Sequence, residues 1–107
     1  MHLGLLTFSA LSLLPLAALA QEVGDPRAGL AFADQVCAGC HAVRQGDRRS
    51  PQPNAPSFEQ IANVPGMTAT ALYIALQSSH KTMPNLMFEP AELRNVVAYI
   101  LTLKQGE

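Results

Sequence analysis

The hydrophobic pattern divides the chain into one long apolar run and four helical stretches. Residues 3–19 are almost all Leu, Ala, Phe and small side chains, interrupted by Thr7, Ser9, Ser12 and Pro15. Polar sequence begins at Gln21, and residues 21–26 read as a frayed lead-in. Within it, Asp25-Pro26 has the form of an N-cap followed by proline at the first helical position. Over residues 27–40, Leu30, Ala33, Val36 and Cys37 recur at spacings of three and four, which predicts a first helix. Gly29 lies on its apolar side. A lone glycine there costs about 1 kcal/mol relative to alanine, so close approach by another helix is expected, with a tolerated surface glycine as the alternative.

Residues 43–55 carry Gly46, Asp47, Ser50, Pro51, Pro53 and Asn54 and read as a loop. Ser57, with Gln60 three positions later, predicts a capped short helix to about Ala62. After a Pro65-Gly66 turn, Thr68 caps a third helix that carries Leu72, Ile74, Ala75 and Leu76 and ends near Gln77. A loop over residues 78–86 follows. Pro90 and Glu92 then open a last helix, striped by Leu93, Val96, Val97, Ile100 and Leu101, and running to Leu103. Lys104 suits the C-terminal end of its dipole. No strand pair, repeat or second domain emerges, so the predicted class is all-α.

The apolar run has its own meaning. It ends in Ala18-Leu19-Ala20, a small-x-small pattern, and reads as a secretory signal (residues 1–20) cleaved after Ala20 to leave one domain, residues 21–107. Its start, Met1-His2, lacks the usual Lys or Arg. The alternative is an uncleaved anchor, although the run is short for a span and Pro15 interrupts it. With seven basic and eight acidic residues the chain is near neutral, and no basic stripe or interleaved aromatics suggest nucleic acid. Arg44, Arg48 and Arg49 form the one local basic cluster and read as a solvated loop. A domain of this size is small for an independent core, and a large apolar body bound at its centre would help it fold.

Candidate chemistry is concentrated in Cys37-Ala38-Gly39-Cys40-His41. Two cysteines three positions apart, with histidine directly after the second, form the attachment pattern for c-type haem. The thiols would add across two vinyl groups of one porphyrin, and the imidazole would reach the iron. A disulfide, a thioredoxin-like pair and half a zinc site are the other readings. Zinc would need more ligands and there is no third cysteine; a thioredoxin-like pair would sit in a βαβ pattern, which is missing here. The sixth iron position has four candidates: Met67, Met83, Met87 and His80. Met83 leads, because it lies in a loop between two helices and Pro84 stiffens that loop. Met67 and Met87 read as core packing, and His80 reads as a surface or propionate-contacting residue, with iron ligation as the competing alternative.

Cys-Ala-Gly-Cys-His after a first helix, Ala-Pro-Ser-Phe in mid-chain, His-Lys-Thr-Met-Pro-Asn in a late loop and a final Ala-Tyr-Ile-Leu-Thr-Leu helix together resemble small bacterial class I cytochromes c. The resemblance covers residues 24–104. It implies a cytochrome c-like fold, three to five helices around one covalently attached haem c, with the first and last helices crossing. It implies that Gly29, eight residues before Cys37, admits that crossing, with Tyr99 as partner. The family often has an aromatic side chain where this chain has Ala33, with Phe32 beside it. The resemblance also implies that the Pro56 carbonyl meets the second nitrogen of His41. The chain has no tryptophan to meet a haem propionate, which leaves Arg44, Arg48, Arg49, Tyr73 and Lys81 as candidates. Haem attachment of this kind is completed outside the bacterial cytoplasm, in keeping with export. The implied function is a periplasmic one-electron carrier with Cys37 and Cys40 on the haem and His41 and Met83 on iron, exchanging electrons with redox partner proteins and having no catalytic residues of its own. Alternatives are a cytochrome subunit of a dehydrogenase or oxidase, and a gas-binding or peroxidatic haem protein with a labile Met83. Membrane association is expected only if the signal is retained.

Overall fold

The computed structural model describes residues 23–106, together with the isolated residues 1 and 4. The expected signal and its cleavage point lie outside the described residues. The described residues form four helices: α1 (Pro26–Val36), α2 (Phe58–Ala62), α3 (Ala69–Gln77) and α4 (Pro90–Thr102). There is no strand among the described residues. None of the described helices is long and apolar enough to cross a membrane.

The helix starts follow from side-chain capping. Asp25 accepts from Arg27 N at 2.9 Å, with Pro26 at the first helical position. At α2, Ser57 Oγ accepts from Gln60 N at 3.1 Å while Gln60 Oε1 accepts from Ser57 N at 2.9 Å, a complete capping box. Thr68 Oγ1 accepts from Ala71 N at 3.1 Å and starts α3. Glu92 Oε2 accepts from Glu89 N at 2.9 Å and fixes the entry to α4.

The end of α1 differs from the expected Cys40. The helix stops at Val36, and Cys37 is its C-cap. Residues 37–40 are a tight turn in which Cys37 N and Ala38 N both donate to the Ala33 carbonyl at 2.9 Å. The three-and-four spacing continued to Cys37 because such a turn keeps nearly helical pitch, so periodicity alone does not mark where the helix gives way.

The core gathers Ala33 from α1, Phe58 and Ala62 from α2, Leu72 from α3, and Val96, Val97, Tyr99 and Ile100 from α4. The closest packing is between α1 and α4. A Cβ on Gly29 would lie 2.0 Å from the Asn95 carbonyl oxygen and 2.8 Å from Tyr99 Cβ, so only glycine lets these backbones meet. Ala33 is fully buried in the core. Phe32 instead meets Phe88, with ring centroids 5.6 Å apart.

The lead-in is not frayed at its described end. Gly24 packs against the main chain of α4, where a Cβ would stand 2.0 Å from Arg94 O, and Asp25 N donates to Asn95 Oδ1 at 2.8 Å. The other end of the fold is tied by Asn63, whose Nδ2 donates to the Leu103 carbonyl at 3.0 Å while its Oδ1 accepts from Gln105 N at 2.7 Å. Buried Glu59 accepts from Gly46 N at 3.0 Å and from the side chain of Gln105.

Candidate functional site

The turn after α1 delivers three reactive side chains together. His41 N donates to Cys37 O at 2.9 Å and Cys40 N to the same carbonyl at 3.2 Å, which folds the five residues into one compact corner. Small Ala38 and Gly39 leave space on its outer side. Both cysteines are free thiols, Cys37 buried and Cys40 exposed. Burial pushes the Cys37 thiol up to about 11, which keeps it protonated at neutral pH.

His41 Nδ1 lies 2.6 Å from the Pro56 carbonyl oxygen. A carbonyl only accepts, so Nδ1 carries the proton and donates, and Nε2 keeps the free lone pair that a metal requires. The imidazole also leans on Phe58, with centroids 5.6 Å apart at 51°, and Phe58 is held by the capped start of α2. Phe58 N donates to the Ala42 carbonyl at 2.8 Å, which ties the residue after His41 to the same helix.

These groups border a cavity of about 690 Å³. Its apolar walls are Phe58, Ile61, Leu72, Leu76, Leu86 and Ile100, and Cys37, Cys40, His41 and Pro56 also line it. The late loop contributes His80, Thr82, Met83 and Pro84. Met83 therefore faces the same space as His41, although 42 positions separate them. Met67 packs against the core, whereas Met87 is 96% exposed and does not take the core position expected of it. Leu86, one residue earlier, lines the cavity in its place. His80 also lines the cavity, with Nε2 2.6 Å from the Ala75 carbonyl oxygen.

The polar part of the lining comes from uncharged side chains. Arg44, Arg48, Arg49, Tyr73 and Lys81 are not among the lining residues, while Gln52, Asn54 and Thr82 are. Arg44 turns away to pair with Asp34 at 2.6 Å, and Arg48 borders a separate small groove with Glu59 and Gln105. Two amides in a proline-rich loop carry no pattern that would have singled out Gln52 and Asn54. Among the described residues, no three His, Cys, Asp or Glu side chains gather as a metal cage, so the zinc reading has no further ligands to draw on.

The model of the cytochrome c family matches residues 27–104, a stretch that runs from the first turn of α1 to just past α4. The chain belongs to the cytochrome c family. Cytochrome c-552 of Bradyrhizobium diazoefficiens is 31% identical over 87 residues, covering 81% of this chain and 80% of that protein. No solved structure matches significantly. As a small class I c-type cytochrome, the chain is an electron-transfer protein built on one covalently attached haem, with redox proteins as its partners. The cavity fits that group: apolar walls suit a porphyrin, and two thiols, the His41 imidazole with its free Nε2 and one thioether open onto the same space, with the His80 ring also on its wall.

Proposed function

We propose that this cytochrome is a periplasmic one-electron carrier with His/Met-ligated iron. In this reading Cys37 and Cys40 would hold the haem through two thioether links, and His41 Nε2 and Met83 Sδ would ligate its iron. The carrying observation is that one cavity of about 690 Å³ is lined by the pentapeptide and by Met83 from a distant loop. Haem supplies the one-electron couple, and the chain decides its surroundings. The Pro56 carbonyl orients His41 and makes it a better donor. A soft thioether on the other side raises the reduction potential relative to a second imidazole. With both positions filled, the iron has no vacant site for peroxide or dioxygen, which favours carriage over catalysis. His80 Nε2 engages the Ala75 carbonyl, so ligation by His80 would have to use Nδ1.

The deciding experiment is the optical spectrum of the oxidised holoprotein, wild type against Met83→Ala. A methionine-to-iron charge-transfer band in wild type, lost in the variant, supports the pair. A wild type without the band, or a variant that keeps it, removes Met83 from the iron. Periplasmic placement rests on the small-x-small pattern at residues 18–20 and is checked by sequencing the N-terminus of the isolated protein, which should begin at Gln21.

A further inference from the structure

We propose that His80 is a positioning residue that clamps the Met83 loop to the C-terminal end of α3. The inference rests on the reading of Met83 as the axial ligand. Between Gln77 and Pro90 the chain has no helix, so Met83 sits in the middle of a twelve-residue connection, residues 78–89, most of whose side chains are exposed. A thioether is a weak, neutral ligand and does not hold such a loop by itself. The loop therefore needs an anchor near Met83.

The anchor is at the end of α3. The last carbonyls of a helix lack intrahelical partners, and here two side chains just past the helix take them. Ser78 Oγ donates to the Ile74 carbonyl at 2.5 Å, and His80 Nε2 reaches the Ala75 carbonyl at 2.6 Å. Because a carbonyl only accepts, His80 donates from Nε2. Helix α3 is itself a firm base, since its Leu72 is buried in the core beside α4. A connected path thus runs from the core through α3 and Ala75 to the His80 ring, and then three residues along the chain to Met83. Ala75, His80 and Met83 all line the same cavity, so occupation of that cavity removes water from the contact and strengthens it. The late-loop histidine that competes with Met83 for the iron in the sequence thereby acts in support of it.

The test uses holoprotein carrying His80→Ala and His80→Gln, the second keeping an N–H donor of similar reach. Three readouts apply: amide hydrogen exchange over residues 79–88, the methionine-to-iron charge-transfer band, and the rate of carbon monoxide binding to ferrous protein. In His80→Ala, loop exchange should rise at least tenfold and carbon monoxide should bind at least tenfold faster. The charge-transfer band should fade at lower temperature than in wild type, and His80→Gln should recover most of each change. Wild-type exchange and carbon monoxide rates in His80→Ala would overturn the clamp. Faster exchange in His80→Ala, together with a wild type that lacks the band, would instead overturn the Met83 reading, and with it the role of the clamp at the iron. Equal defects in both variants would show that the ring matters by bulk and overturn the hydrogen-bond argument.

Discussion

At Gly29 a single hydrogen atom separates two backbones. Adding a methyl group there puts carbon 2.0 Å from the Asn95 carbonyl oxygen, with main chain on both sides and no flexible side chain to yield. Gly29→Ala should therefore lose about 3 kcal/mol or more, at the upper end for an overpacked core, measured by denaturant unfolding of the holoprotein. Pro56 behaves in the opposite way. Its contribution to His41 is a main-chain oxygen, so Pro56→Ala should leave the visible spectrum unchanged and shift the reduction potential far less than Met83→Ala. Tyr99 gives a pH signature. Its buried hydroxyl donates to the Val43 carbonyl. Desolvation raises its pKa above the usual 10, with nearby Arg44 opposing and Asp34 adding to the rise. The folded state thus favours the neutral phenol. That stabilisation is complete below pH 10 and is lost as pH climbs through the raised value. Tyr99→Phe should cost about 1 kcal/mol at neutral pH and flatten the decline in stability above pH 10, as followed by thermal melts across the alkaline range.

The helices were legible in the sequence where a side chain states the boundary. Ser57 with Gln60, Thr68 and Pro90 each mark a start through a local hydrogen bond or a fixed φ, and α2, α3 and α4 begin where those residues indicate. The end of α1 was not legible, because Cys37 continues the apolar spacing into a turn. Gly24 was missed for a different reason: its value lies in the main chain of a helix 70 positions away, and nothing local distinguishes it from a linker glycine. At the site, the pentapeptide and the Met83 loop could be picked out by residue type and order. The polar lining could not, since Gln52 and Asn54 on the cavity wall carry no pattern that separates them from other loop amides. The caps have measurable weight. Ser57→Ala should lower holoprotein stability by about 1 kcal/mol. Because Phe58 of that helix carries the His41 ring, the same variant should also broaden or shift the His41 resonances, which an equal loss from Thr68→Ala should not do.

For the molecule as a whole, the cavity interrupts the core, and Cys37, Phe58, Leu72 and Ile100 belong to both. About 690 Å³ bordered by leucine, isoleucine and phenylalanine is too large to remain empty in so small a domain. Cys37→Ala with Cys40→Ala, isolated without haem, should show weak helical circular dichroism and no cooperative melt; a sharp melt would show that the helices stand unaided. The contact between α1 and α4 adds a condition of timing. The Asp25–Asn95 bond closes a loop of 70 residues, and until Asn95 exists as helix, Gly29 has no backbone to meet. Any chain that stops short of Pro90 keeps its cysteine pair but lacks the surface that buries Ala33 and Cys37. Closure of the fold therefore waits on the last helix, which also supplies Ile100 to the cavity wall. The crossing acts as a completeness check on the polypeptide, engaged by its last helix.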